Sequence, residues 1–280
     1  MPRRTVIEVA PAATGPGRPP RVRLAGAQLG ARRLPDRHGR VRVALVATEA
    51  LLLAGDDVRV EVTVGPGLLL EIVETAGTVA YDMRGGSARW DVTARVADRG
   101  GLAWAGLPFV VSDGADVTRT TTVTLEGSAR ATLRETVVLG RTGEQGGRLD
   151  TRLSSTIDGR PLLAEATLVD PDSRRDPALL GGSRCLDSVT TLGHRLSGAD
   201  TSADARDDTS HSSSHTDGSG PAPTTARPAT LLQLHGEGSV ARWLGDDAHA
   251  SPLTRLSENA TVAISGRNTP SLPLSLAPRP

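Results

Sequence analysis

Five carboxylates stand in or beside segments that alternate like strands: Asp56, Glu71, Glu74, Glu135 and Glu165. Oxygen donors hold late first-row divalent cations more weakly than imidazole or thiolate does, so acids turned inward would line a passage that an ion visits and leaves. Turned outward, the same residues form an ordinary wetted strand face or sheet edge. A pair of them at acid/base spacing in an open cleft would suit glycoside hydrolysis. Five aromatic residues in 280 offer little surface for stacking a sugar, which counts against that use.

Several other chemistries are excluded by residue type. All 32 basic residues are Arg, and the absence of Lys removes the Walker A phosphate loop and every Schiff-base or pyridoxal mechanism. Of the six histidines only His211 and His215 lie close together. An i,i+4 pair faces one metal only on a helix, which the surrounding Ser and Asp disfavour. Cys185, alone in the chain, closes no intrachain disulfide and reads as an apolar filler rather than a nucleophile. No G-x-S-x-G elbow is present to support a serine hydrolase. No catalytic residue and no tightly bound cofactor are expected.

The elements that must position the acids are strands. Val58-Arg59-Val60-Glu61-Val62-Thr63-Val64 alternates without a break, and Trp90 to Val96 repeats the scheme, which places the apolar residues on one face. Further strands are expected at Arg40 to Val46, Leu68 to Glu74, Leu102 to Trp104, Val117 to Leu125, Ala129 to Leu139, Leu149 to Thr156 and Leu162 to Val169. Gly-containing turns such as Gly65-Pro66-Gly67, Asp113-Gly114 and Asp158-Gly159 separate them. Ordered sequence is expected to resume at Leu231 to Leu234 and run through Ser239 to Leu244, with a short helix from Asp246 or Asp247 to about Leu256. An all-β fold of many short strands follows, and the pattern alone leaves sandwich, barrel and solenoid open.

Composition divides the chain further. Residues 1–42 hold ten Arg against Glu8 and Asp36, so the remainder is acidic by the same margin, the total charge being zero. Residues 1–22 are expected to form a basic flexible arm and 23–197 the main β domain. This basic stretch has no aromatics for stacking, so no nucleic acid is expected as a partner. Residues 198–229, rich in Ser, Asp, Thr and His, have too little apolar surface to offset their ordering entropy and are expected to be a disordered insert. Residues 230–260 would pack back on the β domain, and 261–280 form a Pro-rich tail. No run approaches the ~20 apolar residues of a membrane-spanning helix. The start lacks a secretory apolar core. A cytoplasmic protein without membrane contact is the expectation.

Five blocks over about residues 40–170 carry a resemblance: ATEALLLAGDDVRVEVTVGPG, ETAGTVAYDMRGGSARW, LPFVVSDGADVTRTTTVTL, RETVVLGRTGE and GRPLLAEATL. In this order they resemble the urease accessory protein UreD family, also called UreH, with weaker likeness through SRRDPALLGG and GEGSVARWLGDDAH. The resemblance implies a non-enzymatic scaffold with a β-helical, solenoidal stack. Such a scaffold binds UreF, meets the GTPase UreG through UreF, docks on apo-urease within a larger accessory assembly, and passes nickel transiently. It also implies a passage lined by Asp56 of the Ala54-Gly55-Asp56 turn, Thr78 three residues before Tyr81, Glu135 before Leu139-Gly140-Arg141, and Glu165 after Pro161-Leu162-Leu163. A purely structural β adaptor, in which every acid is solvated or paired with Arg, is the alternative.

Deleting residues 198–228 is expected to leave the thermal midpoint of the protein within a few degrees of the intact chain. Differential scanning calorimetry of the deletion variant checks this, and a large drop would make the insert structural.

Overall fold

The computed structural model describes residues 4–13, 18–197 and 228–264. His211 and His215, nearly all of the expected insert, and the tail from residue 265 lie outside the described residues. The stack is built from coils. Strands β4 (Arg40–Ala47) and β5 (Asp57–Val64) form the first. The second contains β6 (Leu69–Glu74), β7 (Thr78–Ala80) and β8 (Ala88–Val96), and the third β9 (Gly101–Ala105), β10 (Phe109–Val111) and β11 (Asp116–Leu125). The fourth contains β12 (Arg130–Leu139) and β13 (Arg148–Ile157).

Successive coils pair in parallel, β5-β8-β11-β13 on one sheet and β4-β6-β9-β12 on the other. Strands β7 and β10 close a short third side against the end of β12. The register conceals a repeat. Val41 lies beside Leu70 (29 positions on), Leu70 beside Leu102 (32) and Leu102 beside Ala131 (29). On the other sheet the offsets run 32, 29 and 32, from Val60 to Val92, Thr121 and Leu153. Two alternating periods, with unlike side chains at equivalent places, hide the solenoid from a search for one fixed spacing. The architecture is the all-β, solenoid-like stack expected, of about four turns.

Period-two alternation puts Val58, Val60, Val62 and Val64 inside, where they meet Trp90, Val92, Ala94 and Val96 of the next coil. Each fully buried Val or Leu contributes about 1.5–3 kcal/mol by leaving water. Strands form at each expected place, with ends shifted by a residue or two. The N-terminal arm is corrected in part. Thr5–Ala10 forms β1, parallel to β5, with Ile7 and Val9 fully buried, because the alternation of Thr-Val-Ile-Glu-Val-Ala outweighs the basic, Pro-rich flanks.

Antiparallel strands finish both ends. At one end β2 (Arg21–Ala25) pairs with β1, and β3 (Leu29–Arg37) with β4. At the other, β14 (Arg160–Val169) pairs with β13, and β15 (Cys185–Leu192), β17 (Gly238–Gly245) and β16 (Thr230–Gln233) extend the β12 side. The expected helix starts later than proposed. Ala248–Ala250 is a single 3-10 turn, and Ser251 before Pro252 is extended, as a residue preceding proline prefers. Helix α1 then runs from Leu253 to Ala263. It buries Leu253, Leu256 and Ala260 against the outer face of the sheet with Cys185, Val189 and Trp243. Among the described residues no helix is long and apolar enough to cross a membrane.

One buried ion pair fastens this outer layer. Asp187 of β15 is fully buried, and both its oxygens accept from Arg134 of β12, at 3.2 and 2.9 Å. The hydroxyls of Thr136 and Ser251 donate to the same carboxylate, so every direction around it is filled. Replacing Asp187 with Ala strands the Arg134 guanidinium in the sheet and is expected to cost about 3–5 kcal/mol. Urea unfolding monitored by tryptophan fluorescence measures the loss.

Candidate functional site

Inside the stack, two facing columns become polar, from the second coil on the β4 side and from the third on the β5 side. On the β5 side the column runs Val58, Trp90, Arg119, Thr151 and Thr167. On the β4 side it runs from Leu45 to Glu74, and after the third coil continues through Glu135, Ser188 and Arg242. Gly106 lies between Glu74 and Glu135. A Cβ there would stand 2.9 Å from the Arg134 carbonyl and 3.7 Å from the Glu74 carboxylate, so the glycine leaves the backbones close and the acid room.

Three cavities follow these columns and share walls. The first, about 160 Å³, is lined by Glu49, Glu74, Thr78, Tyr81 and Trp90 among others. The second, about 20 Å³, shares Glu74 with the first and adds Arg119, Thr121 and Glu135. The third, about 40 Å³, shares Arg119 and Glu135 with the second and reaches Glu165 and Arg242. Thr78, Glu135 and Glu165 of the expected set are therefore brought onto one row.

Asp56 is not on the walls of these three cavities. One of its oxygens accepts from the Leu53 N–H at 2.9 Å and the other from the Gln28 amide at 3.2 Å, so it closes its own turn instead. Glu71 points to the outer face, where Arg40 and Arg42 hold it at 3.3 and 3.2 Å. Cys185 sits in the outer core, and burial pushes its thiol up to about 11, which keeps it protonated and poor as a ligand at neutral pH.

Glu74 was in the original set of strand acids but was not among the four passage positions, and geometry promotes it. Trp104 Nε1 and the Leu107 N–H each donate to it at 2.8 Å, which fixes the carboxylate on the wall of both the first and second cavities. Burial raises its pKa above the ordinary carboxylate value, and those two hydrogen bonds oppose the shift. The partner arginines are also new. Arg119 Nη2 lies 2.8 Å from Glu135, and Arg242 Nη2 lies 2.5 Å from Glu165. Their sequence neighbourhood has no signal for these pairings, which join strands only through the stack. Among the described residues no three His, Cys, Asp or Glu gather closely enough to hold a metal ion.

Comparison with known proteins is consistent with this layout. The family described as UreD urease accessory protein matches residues 25–263. The chain belongs to the UreD family. Urease accessory protein UreD 1 of Streptomyces griseus is 52% identical over 174 residues, covering 62% of this chain and 68% of that protein. UreD of Frankia alni is 35% identical over 243 residues, covering 80% and 75%. UreD of Streptomyces avermitilis is 37% identical over 155 residues, covering 54% of this chain and 62% of its own length. Membership of the UreD family assigns the chain to urease assembly in an accessory capacity.

The raised pKa of Glu74 has a definite sign in stability. The folded state prefers the protonated acid, so stability is lost as pH rises from the ordinary carboxylate value through the raised one. Replacement of Glu74 by Gln removes that dependence. The thermal midpoint of the variant relative to the wild type is expected to climb between pH 4 and pH 7, read from thermal melts across that range.

Proposed function

We propose that this UreD-family chain is a cytoplasmic scaffold that conducts nickel to apo-urease and makes or breaks no covalent bond. It works in an accessory assembly with UreF and, through UreF, the GTPase UreG, which supplies the nucleotide hydrolysis that a lysine-free chain has no phosphate loop to perform. The observation that carries the reading is the row of Thr78, Glu74, Glu135 and Glu165 along three cavities with shared walls. Nickel is cargo here, and oxygen donors alone suit it, because a site of thiolates and imidazoles would retain the ion.

The row has a physical order. The largest cavity, bordered by exposed Glu49 and Tyr81, is open enough to admit a cation with water still attached. The two beyond it are close to the ~30 Å³ that one water occupies in the liquid, so an ion there sheds water and takes carboxylate oxygens in exchange. A second reading, the structural adaptor, draws support from the ion pairs, since Glu135 and Glu165 each hold an arginine as a merely structural acid would.

The two readings separate on one variant. With Glu135→Gln and Glu165→Gln combined in a host producing urease, the passage reading expects urease that contains little nickel while co-purification with UreF persists. Metal content by mass spectrometry and urease turnover are the readouts, and normal loading favours the adaptor.

A further inference from the structure

Glu135 does not stand open to an arriving ion. Arg119 Nη2 holds it at 2.8 Å, the Thr121 hydroxyl reaches it only at 3.5 Å, and the guanidinium lies over the Phe109 ring with its carbon 5.0 Å from the centroid. Arg119 lines both small cavities, so its head group occupies the narrowest stretch of the row.

Two ion pairs that involve β12 differ in completeness. Arg134 grips Asp187 with two nitrogens, and two hydroxyls fill the rest of that carboxylate. Arg119 meets Glu135 through one nitrogen, and its buried Nε has no partner. An unpaired buried donor costs about 1–3 kcal/mol, so this pair is poorly made as a structural clamp. It is better made for release: the guanidinium already lies on the Phe109 face, where a cation is attracted by the ring quadrupole, and that hold does not depend on the carboxylate.

We infer that Arg119 is a tethered counter-charge, which neutralises Glu135 while the passage is empty and must be displaced by the travelling divalent cation. The inference rests on the passage reading above and names its affinity-setting residue. A partly buried carboxylate gains from a neighbouring cation, and the guanidinium supplies one when no metal is present. When a divalent ion takes Glu135, the guanidinium lets go of the carboxylate while the Phe109 face keeps it nearby, and its return helps expel the ion toward Glu165. Because the ion binds only while Glu135 is free of Arg119, the apparent affinity is lowered by that fraction. Arg119 is thus a positioning and affinity-setting residue.

The test is nickel binding by the purified full chain, measured by equilibrium dialysis at neutral pH. Arg119→Met, which keeps the stem and removes the charge, is expected to bind nickel about tenfold more tightly than wild type, and Arg119→Lys to stay close to wild type. Adding Glu135→Gln to Arg119→Met should abolish the gain. Should Arg119→Met not fold by circular dichroism, Arg119→Gln takes its place with the same expectation. A gain below about threefold, or one that survives the loss of Glu135, overturns the inference. Loading of urease by the Glu135→Gln, Glu165→Gln variant is scored separately: normal loading with a nickel-tightening Arg119→Met refutes the passage yet leaves the counter-charge in place.

Discussion

The parallel ladder between successive coils is the constraint from which the rest of this structure follows. Once β5, β8, β11 and β13 are in register, every second side chain enters the interior, and residues 29 or 32 positions apart fall into one column. A slip of one residue would turn Val58, Trp90, Arg119 and Thr151 out to water together. Columns also determine which polar groups meet. Arg119 and Glu135 come from opposite sheets, so their contact is set by the ladder rather than by local sequence.

Sheet β4-β6-β9-β12 therefore serves two interiors of opposite character. On its outer face Arg134, Asp187, Thr136 and Ser251 form a closed set that ties β12 and β15 to the segment leading into α1. On its inner face Glu74 and Glu135 border cavities instead of being closed in on every side. One strand, β12, alternates between these demands residue by residue, with Arg134 outward and Glu135 inward. The dry Val, Leu and Ile columns toward the first coil give the polar half a rigid frame.

Much of this was legible in the sequence because the strands alternate cleanly. Val58 to Val64 and Trp90 to Val96 announce one buried face each, and both form as read. β15 escaped because Asp187, Val189, Thr190 and Thr191 are buried on both faces, which erases the alternation. β7 and β10 have only three residues each, too few for a period. For the site, the UreD resemblance pointed to Thr78, Glu135 and Glu165, which the stack brings into one row. It also pointed to Asp56, whose carboxylate is spent on the Leu53 N–H. Glu74 needed the structure, since its role depends on Trp104 and Leu107 one coil away. The partners of Glu135 and Glu165 depend likewise on register, which no local pattern encodes.

The reversed strands at the two ends also bear on how the molecule behaves at high concentration. A stack of parallel rungs ends in unpaired strand edges, the template on which fibrils grow. Here β2 and β3 at one end, and β14 and β16 at the other, present backbone of the opposite polarity to the repeat. A newcomer aligned as a fifth rung meets antiparallel edges in place of the parallel pairing that joins the coils. Chain reversal thus ends the parallel repeat within the single polypeptide, so a further coil cannot be added by the pairing that built the others.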